Sequence, residues 1–343
     1  YKVSCQAGLH RRCQLESCPT PEGNPFCQHD LTAAILHWNT FSEIFPMYVN
    51  QLIALAPVIV CLATIFLIVK RRQKRISLVT SITGLIGNFF WPALFMCLGL
   101  TGFTTFKLMI PESVPFYLDP MIADLDYMLH GAEPGLVLQQ VLPKFSAWPI
   151  AISYGPIWAL VWVGGFFAVA FCDDRELRQR YWWTCALSFL LLGTVLATVL
   201  SSVGPVYYEA IYGGTRFQRL MSEVYASGPG DKIRDVSDYL WSAYADGNNS
   251  FGTGISAMPS MHVAVVTLQT LAAIDTRKIL GAFVGAYAAI ILVGSVYLGW
   301  HYALDGYVSI IVVCSVWRVT KLAQRKVRRV KLGGENGFVV QRG

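Results

Sequence analysis

Seven long apolar runs dominate the sequence, at roughly 48–69, 77–103, 147–171, 182–204, 258–274, 279–299 and 303–319. A helical run of about 20 apolar residues is what a bilayer's hydrocarbon core requires, and each of the seven has that scale, the last three near its lower limit. The fold class expected is therefore all-α, a polytopic membrane bundle of about seven transmembrane helices. Only 14% of the 343 residues are charged and 54% are hydrophobic, where a soluble domain averages about 25% charged. That balance excludes a disordered chain, a coiled coil and an ordinary cytosolic enzyme.

The basic residues sit at the ends of the runs. KRRQKR (70–75) follows the first run, Arg175, Arg178 and Arg180 follow the third, and Arg277 and Lys278 follow the fifth. Arg318, Lys321, Arg325, Lys326, Arg328, Arg329 and Lys331 follow the seventh. If every run spans once, all four segments fall on one side, which the positive-inside rule makes cytoplasmic. Such clustering marks membrane orientation rather than a phosphate-tracking groove, so no nucleic-acid partner is expected despite the net charge of +6. The organisation predicted is an extracytoplasmic segment over 1–46, a transmembrane catalytic domain over 47–320 and a basic cytoplasmic tail over 321–343. Within the first segment, residues 31–46 are apolar but interrupted, and predict an interfacial helix that Pro46 stops.

The opposite side then holds loops at 104–146 and 205–257 and a short link near 300. In the first loop Met121, Ile122, Leu125, Met128 and Leu129 recur at helical spacing, which predicts a short helix lying along the membrane surface. The second is polar and glycine-rich, with Tyr207, Tyr208, Arg216, Arg219 and Trp241. Cys61, Cys97, Cys172, Cys185 and Cys314 lie in or at the end of apolar runs and read as small buried hydrophobes. Cys5, Cys13, Cys18 and Cys27 crowd the N-terminal segment; two disulfides or a metal site are both open, and the spacing fits no zinc pattern.

Ionisable groups beside membrane spans are costly and mark functional sites. Two places qualify: GISAMPSMHVAVVTL at the start of the fifth run, and GSVYLGWHYALDGY where the sixth meets the seventh. Both fall on the extracytoplasmic side. His262 follows Pro259 and Ser260 at a helix start, where free main-chain N–H groups and the dipole suit an anion such as phosphate. An interfacial histidine at a capped helix start is the other reading. His301 and Asp305, four apart, share a helix face. The residues alone leave a structural pair, a pair of metal ligands and a catalytic pair open. Asp126 and His130 are likewise four apart, and serve either as headgroup contacts or as the exposed face of a surface helix.

Together, PSMH (259–262) and Gly294-Ser295-Val296-Tyr297-Leu298-Gly299-Trp300-His301-Tyr302-Ala303-Leu304-Asp305 resemble the second and third motifs, PSGH and SRxxLGxHxxxD, of the type-2 phosphatidic acid phosphatase superfamily. The resemblance is close over 254–310. It implies a six-helix core with helical extracytoplasmic loops, and a phosphohistidine mechanism that needs no cofactor and no metal. By that resemblance His301 is the nucleophile, Asp305 orients it, and His262 protonates the leaving oxygen and then activates the acceptor. Ser260, Ser295 and Tyr302 flank these residues as phosphate- or substrate-binding positions. Ser295 replaces the third motif's arginine, and the first motif, KxxxxxxRP, is not found. Arg216 and Arg219 are the substitutes expected to meet the phosphate charge, with Lys232 and Arg234 behind them.

These departures resemble the inositol phosphorylceramide synthase-like inositolphosphotransferase branch. The function implied is an integral-membrane lipid phosphotransferase working on the outer leaflet, in the cell membrane, with a lipid phosphate or phospholipid donor and a lipid hydroxyl as acceptor. With water as acceptor the same site is a lipid phosphate phosphatase. A non-catalytic transporter or lipid-binding scaffold is the alternative of another class. Polar residues at one face and the lack of an internal repeat argue against it. Vanadate-dependent halide oxidation uses a similar site and is disfavoured by the membrane architecture.

Overall fold

A computed structural model describes the backbone of residues 37–57, 61, 64 and 78–337, with side chains described over 37–57, at 61 and 64, and over 87–328. The cysteine-rich N-terminal segment and the KRRQKR stretch lie outside the described residues. Every regular element among the described residues is helical. Helix α1 covers 37–57, α2 Leu78–Ser113, α3 Asp119–His130 and α4 Pro134–Val141. Two longer helices follow, α5 over Lys144–Ala170 and α6 over Arg175–Val199. After two short helical turns, Pro205–Tyr207 and Tyr208–Tyr212, come α7 (Gln218–Ala226), α8 (Gly230–Asp246), α9 (Met261–Thr276), α10 (Lys278–Tyr297) and α11 (Ala303–Gly337).

Five helices, Gly87–Ser113 within α2, α5, α6, α10 and Ala303–Arg328 within α11, are long and apolar enough to cross a membrane. This is fewer than seven for two reasons. Of the 22 residues of the first apolar run, ten lie outside the described residues, and no 18-residue stretch of it is described without a break. The fifth forms only α9, whose 16 residues reach about 24 Å against a core of about 30 Å. It is short because residues 254–260 are not helical. They descend into the bundle as cavity-lining chain before the helix starts.

Helix α9 packs chiefly on α10 and α11 and also touches α5 and α6. It is the most buried of these helices, with Val263, Ala264, Val265, Val266 and Leu268 all inside. Asp174 caps α6 by accepting from the N–H groups of Glu176 and Leu177 at 2.9 and 3.0 Å, as an N-cap aspartate should. At the same end Asp275 of α9 takes an ion pair from Arg180 and another from Lys321 at 3.0 Å, tying three helices together.

Several expectations are corrected. Pro46 does not stop a helix: α1 is continuous over 37–57. In apolar surroundings a broken turn strands more main-chain groups than the one bond a proline removes. Nor does the outer segment begin at 104, since α2 runs on to Ser113. The 205–257 segment folds into α7 and α8, in line with the expectation of helical loops, and buries Leu220, Val224 and Ile233. Cys97 and Cys185 are buried as expected, but Cys61 is exposed and Cys172 and Cys314 are half-buried.

Helix α3 forms where its spacing predicts, with its apolar stripe outward as a helix lying along a membrane surface requires, but with Asp126 buried. Met121, Leu125, Met128 and Leu129 are exposed, while Asp119, Ile122, Ala123 and Asp126 are buried. A helix against lipid is free to turn its apolar stripe outward, and its acids then face the protein.

Candidate active site

The third-motif segment owes its shape to a turn that only glycine accommodates. Gly299 has φ +74°, and a Cβ there would meet Met221 Sδ at 2.6 Å. The turn folds the chain back over the end of α10, where the N–H groups of Trp300 and His301 both reach Ser295 O, at 3.1 and 3.2 Å. The chain then enters α11. Asp305, fully buried, accepts from His301 Nδ1 and from the Tyr302 N–H, each 3.1 Å from Oδ2. An Nδ1–H committed to a carboxylate fixes the tautomer, so Nε2 keeps its lone pair. His301 lines the main cavity.

His262 arrives from the other motif. Its ring lies between Tyr154 and Trp158, with centroids 4.4 and 4.0 Å away, and its carbonyl accepts from Trp158 Nε1 at 3.1 Å. The motifs are joined directly by a bond from the Ser260 N–H to Asp305 O at 3.3 Å. Among the described residues, Ser260 Oγ and Asp305 Oδ1 are buried atoms without a hydrogen-bond partner. His262 is within electrostatic reach of His301 and of Lys107.

Both histidines and Lys107 line one cavity of about 710 Å³. Its walls are largely apolar, with Trp148, Trp158, Trp162 and Trp300 among them. Two turns of its wall, Ser153–Ile157 in α5 and Leu191–Leu196 in α6, are π-helical, an irregularity that concentrates at functional sites. Its roof comes from the outer segment, through Ile233, Val236 and Leu240 of α8.

The remaining sequence candidates are distributed unevenly. Ser260 stands at the N-terminus of α9, beside His262. Ser295 is fully buried, and its Oγ donates to Leu292 O at 2.7 Å. Tyr302 is buried, with its hydroxyl donating to Asp119 Oδ1 at 3.0 Å. None of these three side chains lines the cavity. Arg216 is held elsewhere by Asp124 at 2.6 Å and Glu133 at 3.0 Å, and Arg219 is exposed; neither faces the histidines. Of the two weaker cations, Lys232 lines the cavity mouth, while Arg234 stacks over Tyr225.

The cation beside the imidazoles is thus Lys107, which the sequence reading missed. A signal was present. Lys107, six intervening residues, Val114 and Pro115 reproduce KxxxxxxRP with valine in place of arginine.

Asp126 and His130 are also not what was expected. Asp126 is buried and accepts from the N–H groups of Ala303 and Leu304 at 3.0 and 3.2 Å, capping α11. His130 lies between Asp126 O (2.8 Å) and the Tyr307 hydroxyl (3.0 Å). Asp119 accepts from the N–H groups of Val203 and Gly204 and from the hydroxyls of Tyr212 and Tyr302. Burial pushes both carboxyls above the usual range, and the hydrogen bonds each receives pull the other way.

No group of three or more His, Cys, Asp or Glu suited to a metal ion occurs among the described residues. A family model described as PAP2 superfamily matches residues 121–319, which include both histidines and Asp305 and stop short of Lys107. Comparison with curated proteins and with solved structures found no match. The matched region is more than half of the chain, and the protein belongs to the PAP2 superfamily of phosphatase-type enzymes.

Proposed function

We propose that the protein is a lipid phosphotransferase acting at the outer leaflet of the cell membrane, related in chemistry to the inositol phosphorylceramide synthase-like branch. The observation that carries this reading is His301, held by the buried Asp305, lining one apolar cavity with His262 and Lys107. His301 Nε2 attacks phosphorus of the donor lipid, a P–N bond forms, and the bond to the leaving oxygen breaks as His262 supplies its proton. In the second half an acceptor hydroxyl gives its proton to His262 and attacks phosphorus, and the P–N bond breaks. Splitting one displacement into two is the purpose of a covalent intermediate, and one histidine serves both halves as acid and base.

Phosphoryl transfer is governed by how negative charge is met. Two helix N-termini approach the site. That of α11 is already occupied by the Asp126 carboxylate. That of α9 has no side-chain cap, and a free helix N-terminus attracts anions. We therefore seat the phosphate between the start of α9 and Lys107, both at the cavity wall. The scheme requires no metal.

The apolar, tryptophan-lined cavity favours a lipid hydroxyl over water as acceptor, because a transferase must keep water from its covalent intermediate. Purified protein incubated with candidate donor lipids, with and without an acceptor lipid, tests this. A new phospholipid species that needs the acceptor is expected. Free phosphate in equal amount with and without acceptor would make the enzyme a phosphatase, and no product from any donor would overturn the assignment.

A further inference from the structure

The cavity that holds the histidines has a deep arm between α2 and α6, passing Leu100, Phe103, Phe189 and Gly193. A second cavity of about 270 Å³ begins behind the same residues: Leu100, Phe103, Trp162 and Phe189 line both. Three of these are rings that meet at Phe189. Phe103 stands edge-on to Phe189 at 5.4 Å, and Trp162 stacks on Phe189 at 6.2 Å. Gly193 makes room for the first, since a Cβ there would come within 2.5 Å of the Phe103 ring. The second cavity continues to Phe95 and Cys185 with almost wholly apolar lining. Its flank is open, with Phe95, Leu98, Phe106 and Leu190 between 41% and 53% exposed.

Lys107, Phe103, Gly99 and Phe95 descend α2 at four-residue steps, which keeps them near one face. From Lys107 to Phe95 is about 18 Å along the helix, a little over half of a core of about 30 Å. A lipid whose phosphate sits beside Lys107 therefore has a path for its tail that is as deep as one leaflet and open sideways to it. We propose that the two cavities form one slot for a single hydrocarbon tail of the lipid substrate, divided by a wall of Phe103, Phe189 and Trp162 that sets the preferred tail length. This inference rests on the reading of the histidine site as a lipid phosphate site, and adds where the tail goes and what measures it. Tails that end above the wall bury fully in the first cavity, whereas longer tails must displace a ring or bend out into the bilayer.

The test is a tail-length profile of kcat/KM for single-tailed alkyl phosphates from octyl to octadecyl in mixed micelles. For the wild type, kcat/KM should climb with length and then level off or fall where the tail meets the wall. Phe189→Ala should move that break to longer tails, with a gain of about fourfold for each methylene newly buried. Phe103→Leu should move it in the same direction by less, and serves if Phe189→Ala does not fold. Adding Ala186→Phe to Phe189→Ala refills the second cavity and should restore the original break. Profiles for wild type and variants that run parallel at every length would overturn the wall while leaving the site reading intact. A wild type that turns over no member of the series, and no donor lipid in the transfer assay, would overturn both.

Discussion

At the scale of single residues, the proposal depends on which nitrogen of His301 is free. Asp305 accepts from Nδ1, and its carboxylate has no donor with which to hold the other tautomer. Asparagine keeps its carbonyl under the Tyr302 N–H but carries no charge to stabilise the ring as it turns cationic, so Asp305→Asn should lower kcat by up to about four orders of magnitude, with KM little changed, in steady-state assays. Lys107→Met removes the cation nearest the imidazoles and should cost about two to three orders of magnitude in kcat. Lys107→Arg should recover part of the loss. Activity unaltered in Lys107→Met would return the phosphate-binding role to another cation. EDTA should leave turnover unchanged, and a loss restored by a divalent ion would refute the metal-free scheme. Local spacing brought His262, His301 and Asp305 into view, because the motifs are short and the helix ends rigid. Arg216 was misread since its partners, Asp124 and Glu133, stand 83 or more positions away in sequence. Lys107 went unread because Val114 hides the motif that would have exposed it.

At the scale of elements, α3 acts as a brace for the nucleophile's helix. Asp119 and Asp126 are seven apart, which places them on one face. One holds the Tyr302 hydroxyl and the other caps Ala303 and Leu304, so both grip the turn that carries His301. Asp126→Ala should destabilise the protein by about 1–2 kcal/mol, the worth of an N-cap, read as a lower midpoint in thermal or denaturant unfolding in detergent. Asp126→Asn keeps one acceptor where the carboxylate offers two, one to each N–H, and should lie between wild type and Asp126→Ala. No loss in either variant would show that this cap does not hold the turn. The helical period of α3 and its apolar stripe were legible, but the burial of Asp126 was not. Its partners, the N–H groups of Ala303 and Leu304, stand 177 or more positions away in sequence. The length of α9 was illegible for a related reason. Residues 254–260 are apolar enough to extend the run, yet they form cavity-lining chain that only tertiary contacts specify.

At the scale of the molecule, the histidines and the basic cluster occupy opposite ends of the same helices. His262 begins α9 and Asp275 nearly ends it, about 20 Å apart along the axis. Asp275 holds Arg180 and Lys321, so the basic residues of α6 and α11 gather at the end away from the cavity. The charge bias read from sequence thus has a counterpart in three dimensions. Under the proposed orientation, the positive-inside rule puts the basic end in the cytoplasm and the cavity on the extracytoplasmic side. Both ends carry exposed sites for a direct test: Asn248 beside the cavity roof, and Lys278 beside the basic cluster. In intact cells an impermeant PEG-maleimide should add one increment to Asn248→Cys beyond those of the parent chain, and none to Lys278→Cys until the membrane is permeabilised. The reverse pattern would turn the cavity toward the cytoplasm, and the donor would then have to come from the inner leaflet. Labelling of both sites in intact cells would mean that the helices between them do not separate two compartments.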